Sequence, residues 1–186
     1  FSVLIMEFAP VALEHPWLQH PWLQFIYRML KKATIPLVIA GIVLSTLHQS
    51  SLGSLFLIAP HRVHPLWYSP LIPVLFFTSA IATGLLALIL ESNLIQRWYG
   101  RGLNLKILSS LGKIAAYTLW IYLFLRLGDL VWRGVLPAAL DGSWQSLLFS
   151  AEILLGGVLP AILLSLPKVR NQPAGLTTSA ILGVAG

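Results

Sequence analysis

Long apolar runs, broken by short stretches rich in proline, glycine and basic residues, set the rhythm of this chain. The runs Ala33 to Ile58, Pro70 to Leu90, Ile107 to Trp132 and Ser146 to Leu166 are apolar on every side, and each is close to the roughly 20 residues that a helix needs to cross a bilayer. A helix apolar all round has no face to offer water. These runs therefore predict transmembrane helices. The breaks carry turn chemistry: Pro60, Pro65 and Pro70, then Gly100 and Gly102, then Pro137 with Asp141-Gly142, then Pro167 and Pro173. The loops are short, so neighbouring spans run antiparallel. The fold class expected is an all-α membrane protein, a polytopic antiparallel transmembrane helix bundle. Pro36, Pro73 and Pro160 are placed near span ends, where a proline costs little because the first-turn N–H is free. Phe1 to Phe8 and Gly175 to Gly186 are apolar but too short to cross. They read as partial helices, and residues 1–186 as a single membrane domain from the middle of a longer protein.

Composition agrees with this reading. Hydrophobic residues make up 57% and charged residues 10% of the chain, and the mean hydropathy is +0.82, whereas soluble domains carry about 25% charge. A net charge of +6 could suggest nucleic acid, but the basic residues are scattered between spans and form no stripe with interleaved aromatics. They report topology instead. Arg28, Lys31, Lys32, Arg97, Arg101, Lys106, Lys113, Lys168 and Arg170 fall on one side, and Arg62, Arg126 and Arg133 on the other. The excess of Lys and Arg places the first group in the cytoplasm. The segments around His61 to Ser69 and Arg133 to Gln145 then face the periplasm or exterior. Trp17, Trp22, Trp67, Trp98, Trp132 and Trp144 lie near predicted interfaces, where an amphipathic ring is favoured.

Cysteine is absent, so the chain offers no thiolate for an iron–sulfur cluster and no disulfide. The tandem HPWLQ-HPWLQ at 15–24 is too short for a structural repeat and reads as interfacial loop. His15 and His20 each precede proline in an extended unit and lack further ligands at metal spacing. No metal site is expected.

Polar groups at membrane depth are the candidate chemistry. The segment LSTLHQSSLGSLFLI at 44–58 holds an imidazole, a carboxamide and hydroxyls in an otherwise lipid-like helix. His48 lies ~15 Å below the outer end of its helix at ~1.5 Å per residue. Thr46, Ser50, Gly53 and Ser54 form a small-residue stripe suited to close helix packing. Ser45, His48 and Gln49 lie on an adjacent face, where they could bind the carbonyl of a small amphipathic ligand, and His48 could deliver a proton to it. A satisfied structural histidine is the alternative. Arg126 and Asp129, three residues apart, share a helix face and can pair, either as a structural ion pair or as part of a site. Glu152 stands alone in its span and needs a partner, for which Arg126 is the candidate. All four ionisable residues fall in the outer half. Glu7, Glu91 and Lys113 lie toward the cytoplasmic ends, where they can reach water.

The run LSTLHQSSLGSLFLIAPHRVHPLWYSPLIPVLFF, followed by ES at 91–92, GRG at 100–102 and LRLGDL at 125–130, closely resembles the HybB-type membrane subunits of the NrfD/PsrC superfamily, the membrane subunits of nickel–iron hydrogenases. The resemblance covers essentially the whole chain. It implies a subunit of an oxidoreductase complex in the bacterial or archaeal cytoplasmic membrane. Such a subunit passes electrons between a periplasmic iron–sulfur partner, with its nickel–iron hydrogenase subunits, and the menaquinone or ubiquinone pool. It also implies a bundle with no redox cofactor of its own and a quinone bound near the periplasmic face. On that reading His48 is the hydrogen-bond and proton partner of the quinone, assisted by Ser45 and Gln49. Arg126, Asp129 and Glu152 form a polar chain for protons or anchor the site, and His61 to Tyr68 docks the iron–sulfur subunit. Three alternatives stay open: a b-type cytochrome anchor, a non-catalytic membrane anchor and a proton-conducting transporter. Haem b is not expected, because a bis-histidine haem needs two facing imidazoles and His48 is the only histidine in the predicted spans. A transporter would show Gly- or Pro-broken spans in corresponding halves, and the sequence has no such pair.

Overall fold

A computed structural model of the chain describes residues 5, 6, 8, 9, 13, 21–58, 62–99 and 104–186. The HPWLQ tandem with His15 and His20, and Glu7, Pro60, His61, Gly100, Arg101 and Gly102 lie outside the described residues. Helix is the only regular structure among those described. Helix α1 spans Pro21–Ile58, α2 Ile72–Tyr99 and α3 Leu105–Trp132. A 3-10 turn at Leu136–Ala139 leads to a composite fourth span, made of α4 (Trp144–Ala151), a π-helical segment (Glu152–Val158) and α5 (Leu159–Ser165). A single turn, α6 (Pro167–Arg170), and α7 (Pro173–Ala185) follow. Among the described residues four helical stretches are long and apolar enough to cross a membrane, Gln24–Ile58, Ile72–Gln96, Leu105–Trp132 and Trp144–Ser165. The chain is an all-α, multi-pass integral membrane protein.

The helices end where local chemistry stops them. Asn104 caps α3 by accepting from the Ile107 N–H at 3.4 Å, and Ser143 caps α4 by accepting from the Ser146 N–H at 3.2 Å. At the other end of α3 the chain turns through Gly134 at φ 66°. There the Gly134 N–H donates to Val131 O and the Val135 N–H to Leu130 O, both at 3.1 Å. This is the paired arrangement that a left-handed glycine permits just past a helix end.

The prolines behave differently from expectation in two cases. Pro73 does sit in the first turn of α2, but Pro36 lies inside α1, and Pro160 falls in mid-span directly after the π segment. A proline inside a helix has no N–H to give and crowds the carbonyl four residues back. Ahead of Pro160 the helix widens: the Leu159 N–H reaches Leu154 O, five residues back. The wide turn relieves the conflict that a strict α-helix would meet at Gly156.

Two compact units make up the chain, residues 1–49 and 50–186. In the first unit α1 satisfies its polar groups locally. Lys31 donates to the Tyr27 hydroxyl at 2.8 Å, and Thr34 and Thr46 return hydrogen bonds to Leu30 O and Ile42 O.

In the second unit α2, α3, the composite span and α7 pack around one core. Leu86 and Ile89 of α2, Leu119 and Leu123 of α3, Phe149 of α4, Leu164 of α5 and Leu176 of α7 are among its larger members. Small residues bring the backbones close, as expected where lipid supplies no hydrophobic drive between helices. Ala115, Ala161 and Ala180 are fully buried. From the small-residue stripe on α1, Gly53 is buried, and a Cβ there would stand 2.9 Å from Pro73 Cα. Ser54 is exposed and bonds back to Ser50 O at 2.9 Å.

Candidate functional site

The turn between α1 and α2 is held down from two helices. The His64 carbonyl accepts from the Trp67 and Tyr68 N–H groups at 2.9 and 3.0 Å, which folds His64 to Tyr68 into a tight turn. Arg126 of α3 and Arg133 just past its end then take two of its carbonyls: Arg126 Nη2 donates to Leu66 O at 3.1 Å and Arg133 Nη1 to Pro65 O at 2.9 Å. Leu66 is thereby fully buried at the top of the core. The next residue, Trp67, donates its indole Nε1–H to Glu152 Oε2 at 2.7 Å, across to the first residue of the π segment.

Aromatic rings complete the arrangement. Trp67 meets His64 and Phe149 edge-on, each with ring centroids 5.8 Å apart. The Arg126 guanidinium lies over the Phe149 ring at 5.3 Å, close enough for a cation–π attraction.

Beneath the turn lies a pocket of about 420 Å³. Phe56, Ile72, Leu75 and Phe76 form apolar walls, and Ser79, Tyr122, Arg126 and Glu152 supply the polar groups, with Trp67 closing one side. This is the usual make-up of a small-molecule site, an apolar cleft with a few placed polar groups. Arg126 is only 5% exposed, and its Nε–H has no partner. A second cavity of about 240 Å³ shares Ser79, Tyr122 and Glu152 with the first and continues along Gly156, Gly157 and Gly183.

The pairings differ from those the sequence suggested. Asp129 does not pair with Arg126; it binds Arg133, with Oδ2 at 2.8 Å from Nε and 2.7 Å from Nη2. Four residues on, Arg133 can curl back over the carboxylate, while Arg126 points to the turn and Phe149. Glu152 finds Trp67 as its hydrogen-bond partner where Arg126 had been expected. Arg126 and Glu152 do line the same pocket. Asp129 is fully buried in its side chain and serves the Arg133 anchor. Ser45, His48 and Gln49 belong to the other compact unit, where Ser45 and His48 are exposed and Gln49 is half-buried along α1.

Several members of this site have no distinct signature in the sequence. Near a span end Trp67 has the signature of an interfacial ring, and Arg133 that of a loop charge. Tyr122 and Ser79 carried no signal beyond being polar in an apolar run. Gly156-Gly157 followed by Pro160 was the one visible hint of an irregular helix. Among the described residues no three His, Asp or Glu side chains gather as a metal site would require. Outside the membrane, Asp141 has its carboxyl held below the ordinary value of 3.8. Hydrogen bonds from the Ser143 backbone and side chain are the main cause, and His64 adds to them.

Fold and pocket together define a polytopic all-α membrane protein with a ligand-sized cleft at one end of its bundle. The family description "Polysulphide reductase, NrfD" matches residues 1–186, and the chain belongs to this NrfD family, as its resemblance to HybB-type subunits implied. It is 34% identical over 188 residues to the "Probable Ni/Fe-hydrogenase 2 b-type cytochrome subunit" of Escherichia coli (strain K12), which covers 100% of this chain and 46% of that protein. It is 30% identical over 206 residues to "Menaquinone reductase, integral membrane subunit" of Nitratidesulfovibrio vulgaris, covering 99% of this chain and 48% of the relative. A further protein of the same organism is 35% identical over 198 residues, covering 100% of this chain and 48% of its own length. The chain thus spans about half the length of the curated relatives it matches. No solved structure matches it.

Proposed function

We propose that this chain forms the quinone-reactive part of a membrane subunit that passes electrons between a periplasmic iron–sulfur partner of the hydrogenase type and the quinone pool of a bacterial or archaeal cytoplasmic membrane. The observation that carries the reading is the lining of the pocket, in which Phe56, Ile72, Leu75 and Phe76 form apolar walls and Arg126, Tyr122 and Glu152 supply polar groups. A cleft of this make-up suits a flat apolar ring whose polar atoms are carbonyl oxygens. Menaquinone and ubiquinone both have a flat apolar ring with two such carbonyls. In the reducing direction two electrons from the iron–sulfur partner and two protons convert the two carbonyls to two hydroxyls, and the reverse reaction returns them. Glu152 and Tyr122, on the same wall, are the groups able to exchange a proton with the ligand there. His48, with Ser45 and Gln49, is a second candidate proton and hydrogen-bond partner on α1.

The test is quinone-linked turnover in the intact complex, with dye-linked activity of the partner as the control for assembly. Arg126→Gln is expected to raise the quinone KM about tenfold, the loss of one hydrogen bond to a charged donor, with dye-linked activity unchanged. An unchanged KM and kcat would show that this pocket is not where the quinone reacts. His48→Leu in the same assay is expected to lower quinone turnover, and full retention would make His48 structural.

A second reading, a b-type haem, is favoured by the printed name of the E. coli relative. Among the described residues His48 is the one histidine inside a spanning helix. A bis-histidine haem would take two facing imidazoles, of which His48 could be one. Reduced-minus-oxidised spectra of the purified complex separate the two readings.

A further inference from the structure

We infer that Trp67 is a positioning residue: its indole N–H fixes the Glu152 carboxylate against the ligand pocket and couples that carboxylate to the turn joining α1 and α2. The inference rests on reading the pocket as a quinone site. The bond from Trp67 Nε1 to Glu152 Oε2, at 2.7 Å, has the short length typical of a charge-assisted contact. It also joins residues from opposite parts of the fold, one in a loop and one at the start of the π segment.

Trp67 has little freedom to release that carboxylate. Its backbone N–H is held by His64 O, and its ring is wedged between His64 and Phe149. The two residues before it are tied by their carbonyls to Arg133 and Arg126. Successive residues Pro65, Leu66 and Trp67 are therefore each bonded to a different side chain of the bundle. A shift of this turn cannot leave Glu152 where it stands. Glu152 shares the lining of the pocket with Arg126 and Tyr122 of α3 and Ser79 of α2. Holding Oε2 sets the carboxylate plane relative to whatever occupies the space between them, and a proton transfer is sensitive to such alignment.

The distinguishing variant is Trp67→Phe, which keeps an aromatic wall and removes only the donor. In the intact complex with a short-chain menaquinone, kcat is expected to fall about five- to tenfold with KM changed less than about twofold, and dye-linked activity is expected to stay. Redox-triggered infrared difference spectra give the second readout. The carboxyl band that vanishes in Glu152→Gln should shift in Trp67→Phe, because its hydrogen bond is gone. Phe149→Leu, which removes a ring contact but leaves the donor, should lower stability without moving that band. A wild-type kcat, or an unmoved carboxyl band, in Trp67→Phe would overturn the inference and leave Trp67 as wall alone. If Arg126→Gln and Glu152→Gln both keep wild-type quinone kinetics, the pocket reading itself has failed.

Discussion

Exchanging the partners of the Asp129–Arg133 pair one at a time should have unequal effects. The Asp129 side chain is 0% exposed and that of Arg133 13% exposed, with the two held at 2.7 Å. Removing one partner of a buried pair costs about 3–5 kcal/mol, because the charge left behind has no compensation. Arg133→Met strands a carboxylate that solvent cannot reach, and it also frees Pro65 O, so a loss of about 4 kcal/mol is expected. Asp129→Asn strands a guanidinium that still holds Pro65 O and touches solvent or headgroups, so the loss should be nearer 2 kcal/mol. The double replacement Asp129→Leu with Arg133→Met leaves neither charge of this pair behind and should recover part of the larger loss. Thermal unfolding of the detergent-solubilised full-length subunit, followed by tryptophan fluorescence, gives the order. If Arg133→Met is no less stable than Asp129→Asn, the carboxylate has another cation, and Arg133 is not the partner that holds it.

Two further outcomes are expected. At Gly157 a Cβ would stand 2.8 Å from Leu123 Cδ2; that atom ends a flexible side chain, so Gly157→Ala should be nearly neutral, whereas the branched Gly157→Val should cost about 1–3 kcal/mol by overpacking and lower the melting temperature in the same assay. The Asp141 carboxyl, held below 3.8 by Ser143, binds its proton less readily folded than unfolded, so it adds stability above the unfolded value and loses it as pH falls through the folded one. Asp141→Asn should therefore be less stable than the natural chain at neutral pH, and a melting-temperature difference that fails to close as the pH is lowered through and below 4 would contradict the assignment.

The spans were legible in the sequence because a run of about 20 residues that is apolar on every side of a helix has the length and character that lipid asks for. Their outer limits were less so: α1 begins at Pro21 and includes Pro36, since the interfacial turns of a helix need no apolar signature. Arg126 and Glu152 announced themselves as charges in apolar runs, and both line the pocket. Their partners did not. The i,i+3 spacing of Arg126 and Asp129 satisfies the rule for a pair, yet Arg133 at i+4 satisfies it equally, and only the position of the turn decides which arginine is free to curl back. Trp67 lies 85 residues from Glu152, beyond any local pattern. A tryptophan near a span end is as consistent with an interfacial anchor as with a hydrogen-bond donor to a buried carboxylate.

The π segment connects these points physically. A proline in mid-helix costs about 3 kcal/mol when the helix around it stays regular, and the fourth span carries Pro160 with Gly156 and Gly157 just before it. Glycine pairs are poor helix formers but tolerate the widened turn, and Gly157 lets the backbone approach Leu123 of α3. The widened stretch opens at Glu152, next to the only long-range hydrogen bond that ties the α1–α2 turn to this span by side chains alone among the described residues. π turns are frequent at functional sites because the extra residue redirects side chains that a regular helix would keep in register. A straight α-helix from Trp144 to Ser165 would pack its core residues as well, yet it would rotate either Glu152 or the face carrying Ala161 and Leu164 away from its present neighbours. The irregular backbone therefore serves two demands at once: a carboxylate turned toward Trp67 and the pocket, and a small-residue face kept against α3 and α7.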